Sequence, residues 1–198
     1  MNARDKILAA IAAGKPAPSP LPDMPFTAES DKALLAAAFI RILGSIGATV
    51  LTTAGLTPIR EDLEQARLSG GYIVNTIPEI GTVNAEVHAG SNAHFLERVE
   101  KAYIRGTIGV AENGAVWLSE GDMVNRLLPF ICQHLVIVLD RQELVADMHE
   151  AYRALSTSRD GYGVFVAGPS RTADIEQSLV TGAHGARSVL VCLVSPEA

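Results

Sequence analysis

Ser170, Arg171, Thr172 and Asp174 fall in the run Gly168-Pro169-Ser170-Arg171-Thr172-Ala173-Asp174, directly after the apolar stretch 163–167. The pattern reads as a buried strand, an abrupt Gly-Pro turn and the polar start of a helix reaching about residue 181. The hydroxyls of Ser170 and Thr172 can accept bonds from the free amides of a first helical turn. Arg171 beside them would offer a carboxylate or phosphate both a guanidinium and the positive end of the helix. The same residues also make an ordinary helix start, with Asp174 and Glu176 in the first turn.

Two other segments carry candidate chemistry. Glu112-Asn113-Gly114 places a carboxylate at a strand end, beside a tight turn whose amides, at Asn113 and Gly114, are open to a ligand. Such a glutamate can attack an acyl thioester or orient a substrate; it can equally be the solvated tip of a hairpin. Arg126, before Leu127-Leu128-Pro129, can hold an anion in a cleft or pair with Asp122 four residues earlier. Ligands in α/β sheets bind beyond the carboxyl ends of strands. The expected site is therefore a cleft there, with Ser170, Arg171 and Thr172 on one wall and Glu112 and Arg126 on the others.

Other chemistries are disfavoured. Gly161-Tyr162-Gly163 precedes a strand and Gly182-Ala183-His184-Gly185 closes a helix, the reverse of a dinucleotide fingerprint. There is no P-loop and no GxSxG elbow. His88, His94, Glu86 and Glu97 match no common ligand spacing, so no metal site is expected. The two cysteines, Cys132 and Cys192, adjoin apolar runs and read as buried reduced thiols. An iron–sulfur cluster held by this chain alone would need more thiolates. A net charge of −6 and a pI near 5.3, without a basic cluster, argue against nucleic acid as a partner. No apolar run is long enough to span a bilayer, and a cytoplasmic protein is expected.

These residues must be positioned by a chain that is 48% hydrophobic and 19% charged, a composition that folds. Ile7, Leu8 and Ile11 form one face of a short helix. The prolines between residues 16 and 25 then predict an extended linker, so that residues 1–25 are an appendage and 26–198 the main domain. Thr27 can cap a helix to about residue 45, with Leu34, Leu35, Ala38, Ile42 and Ile46 on its apolar side. Strands are predicted at 48–52, 72–76, 107–111, 115–118, 135–139, 163–167 and 189–194, with a short one possible at 82–87. Helices are predicted from Thr57-Pro58 to Gly70, and over 91–103, 122–128 and 142–155. Alternating helices and continuous apolar strands imply α/β architecture around a mainly parallel sheet.

Residues 168–176, then Gly182-Ala183-His184-Gly185 and the last strand, resemble the C-terminal signature of the LUD-domain family, that of lactate-utilisation protein C. Residues 108–118, Arg126-Leu127-Leu128-Pro129 and the strand after His134 resemble its middle block in the same order. The resemblance implies a three-layer α/β/α sandwich like that of sugar-phosphate isomerases and CoA-transferases. It also implies an accessory subunit of a system oxidising L-lactate to pyruvate. No cofactor would then be bound by this chain alone, and the iron–sulfur clusters would lie on partner proteins. Two departures stand out. The family's Glu-Thr-Gly-Thr or Glu-Thr-Gly-Ser is here Glu112-Asn113-Gly114-Ala115, without two hydroxyls, and its Gly-Arg is here Asn125-Arg126. Two alternatives remain: an acyl-transfer enzyme of CoA-transferase type with Glu112 as nucleophile, and a module that binds a small anionic metabolite without turning it over.

Overall fold

The structure is a computed structural model and describes residues 2–16, 19–20, 31–155, 161–175 and 178–196. In chain order the elements are α1 (Ala3–Ala13), α2 (Lys32–Ser45), β1 (Thr49–Ala54), α3 (Thr57–Leu68), β2 (Tyr72–Asn75), α4 (Ala93–Leu96), β3 (Val99–Gly106), β4 (Ile108–Val110) and β5 (Val116–Ser119). There follow α5 (Glu120–Met123), α6 (Leu128–Ile131), β6 (His134–Asp140), β7 (Leu144–Val145), α7 (Met148–Leu155), β8 (Gly163–Val166), β9 (Arg171–Ile175), β10 (Ser178–Thr181) and β11 (Ser188–Ser195).

The strands at the centre carry apolar side chains in both directions, and that decides the layering. Along β6, Leu135, Ile137 and Leu139 join the core that includes Leu35, Phe39 and Leu43 of α2. Val136 and Val138, pointing the other way, join Ile59 and Leu63 of α3. In β11, Val191 and Leu193 take the α2 side and Cys192 the α3 side. Alternate residues thus face opposite layers, as the two-residue period of a strand requires. The sheet order is β1-β11-β6-β3-β2, with every neighbouring pair parallel. The result is a mixed α/β architecture, a mainly parallel central sheet flanked by helices.

β3 leaves this sheet and runs through Thr107 into β4 of a second sheet, ordered β7-β4-β5-β8. The chain is tight at that crossing. A Cβ on Gly109 would stand 2.5 Å from Leu139 Cδ2 and 2.7 Å from Leu144 Cδ2. β4 and β5 pair antiparallel around the predicted turn, where Gly114 takes φ +73°; Asn113 does not share the positive φ.

Several elements differ from the sequence reading. Residues 171–175 and 178–181 form not a helix but the antiparallel pair of strands β9 and β10. Ser170 therefore caps no helix, and Arg171 sits at no positive helix end. β-branched Thr172, Ile175, Val180 and Thr181 favour extended chain, which the cap-like polar residues concealed. The helix expected over 91–103 is only α4, because Val99, Tyr103 and Ile104 are built into β3. The helix expected from 142 begins at Met148. There Asp147 Oδ1 accepts from Glu150 N at 2.8 Å, while Glu150 Oε2 accepts from Ala146 N at 2.9 Å, a reciprocal cap that fixes the start. Pro129 does not stop a helix over 122–128; it occupies the first turn of α6, where its missing N–H costs nothing. Leu56, not Thr57, is the N-cap position of α3. No strand forms over 82–87. α2 begins at Lys32, capped by Asp31 Oδ1; Thr27 and most of the proline-rich segment lie outside the described residues. The buried face of α2 is Leu35, Ala36, Phe39 and Leu43, and Leu34 is 56% exposed.

Candidate functional site

The three segments with candidate chemistry border three separate cavities. Ser170 lines one of about 270 Å³ with Phe130, Phe165, His184 and Ala186. Leu135 and Val189, at the starts of β6 and β11, also line it, so it opens at the amino ends of the central strands. This corrects the expected placement at their carboxyl ends. β8 does point its carboxyl end here, through Ala167 and Gly168. Ser170 is held by its backbone: its N–H donates to Ala186 O at 3.0 Å, and its carbonyl accepts from Gly182 N at 2.9 Å. Gly185 is in close contact, since a Cβ there would lie 3.0 Å from Ser170 Cβ. Arg171 and Thr172 are not among the lining residues. The Arg171 guanidinium lies over Gly47, where an added Cβ would collide with it. The side chain of Asp174 lies outside the described residues.

Glu112 borders a groove of about 350 Å³ whose apolar wall is Leu34, Leu35, Ala38 and Ile42 of α2. Its carboxylate has a structural duty: Oε2 accepts from Met148 N, at the start of α7, at 3.2 Å. Asn113 Oδ1 accepts from Ala115 N at 2.9 Å, inside the turn. Gly114 is buried, and a Cβ there would stand 3.3 Å from Ile42 Cγ2 and Leu43 Cδ2. Asn113 and Gly114 thus shape the hairpin and seat it on α2.

Arg126 borders the third and largest cavity, about 410 Å³, with Ala89, Ser91, Glu120, Val124, Asn125 and Leu127. Its Nε donates to Glu120 Oε1 at 2.7 Å, not to Asp122, whose carboxylate accepts from Ser119 Oγ at 2.6 Å. The guanidinium also lies over the Tyr162 ring, 4.5 Å from its centroid, a cation–π contact. The hydrogen bond from Arg126 holds the Glu120 carboxyl below the usual carboxylate range, and Glu120 in turn raises Arg126.

The walls of this cavity are tied together by Asn125, only 4% exposed. Its Nδ2 donates to His88 O and Ser91 O, each at 2.9 Å, and more weakly to Ala89 O at 3.4 Å. Its Oδ1 accepts from Leu127 N at 2.9 Å. Val124, just before it, has φ +62° and ψ −41°. Asn125 N donates back across it to Met123 O at 2.6 Å, a γ-turn of the rare positive-φ kind. No other non-glycine among the described residues has positive φ. Sequence reasoning missed Glu120 and Asn125. Glu120 lies six residues from Arg126, outside helical pairing distance, and the partners of Asn125 are backbone carbonyls, which leave no mark in a sequence.

The other candidate groups are dispersed. His94 pairs with Glu97 at 2.8 Å, Glu86 accepts from the Tyr72 hydroxyl at 2.8 Å, and His88 Nδ1 accepts from Gly90 N at 3.1 Å. Among the described residues no group of three or more His, Cys, Asp or Glu could hold a metal ion. Burial pushes both thiols, Cys132 and Cys192, up to about 12.

The LUD domain model matches residues 47–194, from the turn before β1 to the penultimate residue of β11. The chain belongs to the LUD domain family. Among LUD-domain relatives, lactate utilization protein C of Bacillus pumilus is 28% identical over 120 residues, 58% of this chain and 50% of the relative. The protein of that name from Shouchella clausii is 34% identical over 84 residues, 39% of this chain and 36% of the relative. An uncharacterized protein of Neisseria meningitidis serogroup B is 26% identical over 106 residues, 52% and 46% of the two chains. The chain spans about half the length or less of these curated relatives. The crystal structure of a DUF162 family protein from Deinococcus radiodurans shares the fold. Its TM-score is 0.57 at 18% identity, covering 84% of this chain and 99% of that one. Within the LUD domain, the Ser170 and Arg126 cavities are built entirely from matched residues, whereas the Glu112 groove takes a wall from α2, outside the match. Among the described residues no helix is long and apolar enough to cross a membrane.

Proposed function

We propose that this chain works in lactate utilisation, as a cytoplasmic accessory subunit of a system that oxidises L-lactate to pyruvate with iron–sulfur partner proteins. The observation that carries this reading is the LUD domain match over residues 47–194, together with the shared name of relatives such as those from B. pumilus and S. clausii. The donor chemistry of the chain agrees. Cys132 and Cys192 are buried in different clusters, one on each side of the sheet. Two thiols on opposite faces of the sheet do not converge on one iron–sulfur cluster. That the electron carriers lie on partner proteins is part of the proposal. Deleting the gene is expected to impair growth on L-lactate and spare growth on glucose, and the tagged chain is expected to co-purify with iron–sulfur proteins. Unimpaired lactate growth in a strain without a second lactate oxidase would overturn the proposal.

A further inference from the structure

Arg126 borders a cavity with part of its guanidinium uncommitted, and its side chain is 57% exposed. A guanidinium offers three edges and two faces. Here the Nε edge is spent on Glu120 at 2.7 Å, and one face rests on Tyr162, 4.5 Å from the ring centroid. Among the described residues nothing accepts from Nη1 or Nη2, so that pair of parallel donors remains, in the fork that fits the two oxygens of a carboxylate. Contacts at one edge and one face also restrict the side chain before any ligand arrives, which lowers the entropic cost of binding.

We infer that the Arg126 cavity binds a small monocarboxylate carrying a hydroxyl beside its carboxylate. The carboxylate sits on the Nη edge of Arg126, and the ligand hydroxyl donates to Glu120. Charge sets the class. Arg126 and Glu120 together are neutral, so one ligand charge is matched by Arg126, while a second would meet the Glu120 carboxylate. Dicarboxylates and phosphate esters are therefore disfavoured. Ala89, Val124 and Leu127 supply apolar wall for a short carbon skeleton. Asn125 is excluded as a ligand contact because its amide is committed to His88 O, Ser91 O and Leu127 N; it braces the walls instead. The choice of a 2-hydroxy acid rests on the lactate-utilisation reading, whereas the carboxylate edge rests on geometry alone.

The test is a titration of the full-length ¹⁵N-labelled chain with L-lactate, propanoate, malate and inorganic phosphate, followed by amide shifts. Lactate is expected to give saturable shifts at Ser91, Arg126 and Leu127, with propanoate weaker for want of the hydroxyl and malate and phosphate weaker still. Arg126→Lys keeps the charge but loses the fork, and should weaken lactate roughly 10- to 100-fold at unchanged thermal stability. Glu120→Gln should weaken lactate and tighten malate, reversing their order. Absence of saturable shifts with every acid, shifts centred on Ser170 and Ala186, or lactate affinity unchanged in Arg126→Lys would each overturn the site. Arg126-dependent propanoate binding alongside normal lactate growth of the deletion strain would sink the pathway reading and leave the carboxylate site standing.

Discussion

Replacing Asn125 by alanine removes the clasp that joins the 88–91 loop to the turn before α6. Three good hydrogen bonds are lost, to His88 O, Ser91 O and from Leu127 N, all at 2.9 Å, with the 3.4 Å contact to Ala89 O adding little. At about 1 kcal/mol net for each, the loss is about 3 kcal/mol. Stranding the freed carbonyls would raise the figure, but the adjoining cavity of about 410 Å³ can admit water to some of them and lower it. A range of roughly 2–4 kcal/mol follows. For a chain of this size that corresponds to a fall in Tm of roughly 4–16 °C. Urea unfolding followed through Trp117 fluorescence and far-UV circular dichroism would measure it, with native secondary structure retained. Asn125→Gly should cost slightly more, because residue 125 has no positive φ for glycine to relieve and the unfolded chain gains freedom. A loss below about 0.5 kcal/mol in Asn125→Ala, the scale of an ordinary surface substitution, would refute the clasp.

Further outcomes are expected. Val124→Gly should stabilise the chain by up to about 1 kcal/mol through relief of the φ +62° backbone, as thermal unfolding would show; a large destabilisation would mean the Val124 side chain outweighs the strain. Cys132 and Cys192, each 1% exposed, should resist a thiol reagent at pH 8 in the native state, and both should react after denaturation. Glu79 is held below the usual carboxylate value of 4.5 by its backbone hydrogen bond and Arg105, its ion pair with Arg105 measuring 2.7 Å. Its contribution is therefore complete above that value and lost as pH falls through the folded-state one, so the stability gap between wild type and Glu79→Gln should close in acid; a pH-independent gap would contradict the assignment. Removing residues 1–15 should leave Tm unchanged, because α1 buries none of its residues, and a drop of several degrees would show that it packs on the body.

The sequence was most informative where burial is continuous. Leu135 to Leu139 could only be a strand covered on both faces, and Gly114 marked its turn. The helix-like reading of 170–181 failed because Ser, Thr and Asp signal a helix start through local hydrogen bonds, while a hairpin is decided by cross-strand pairs such as Thr181 with Arg171. The single cleft expected for the candidate residues is a different matter. Ser170, Glu112 and Arg126 each do border a cavity, but a chain read in one dimension could not say that these are three cavities. Whether they share a wall depends on where the sheet sends each loop, and β3 carries the 108–118 hairpin into a second sheet.

The order β1-β11-β6 places the last strand of the sheet between two strands made long before it. Thr49 pairs with Leu190 and His134 with Ser188, so β1 has its partner only when nearly the whole domain has been synthesised. Without β11, β1 and β6 would each lack their shared hydrogen-bonding neighbour, and an unpaired strand edge is a template for any extended apolar segment. Completing the sheet needs contacts far apart in sequence, which slows folding. β11 is thus the strand whose exchange between two copies would reproduce, in a dimer, the hydrogen bonds that complete the monomer.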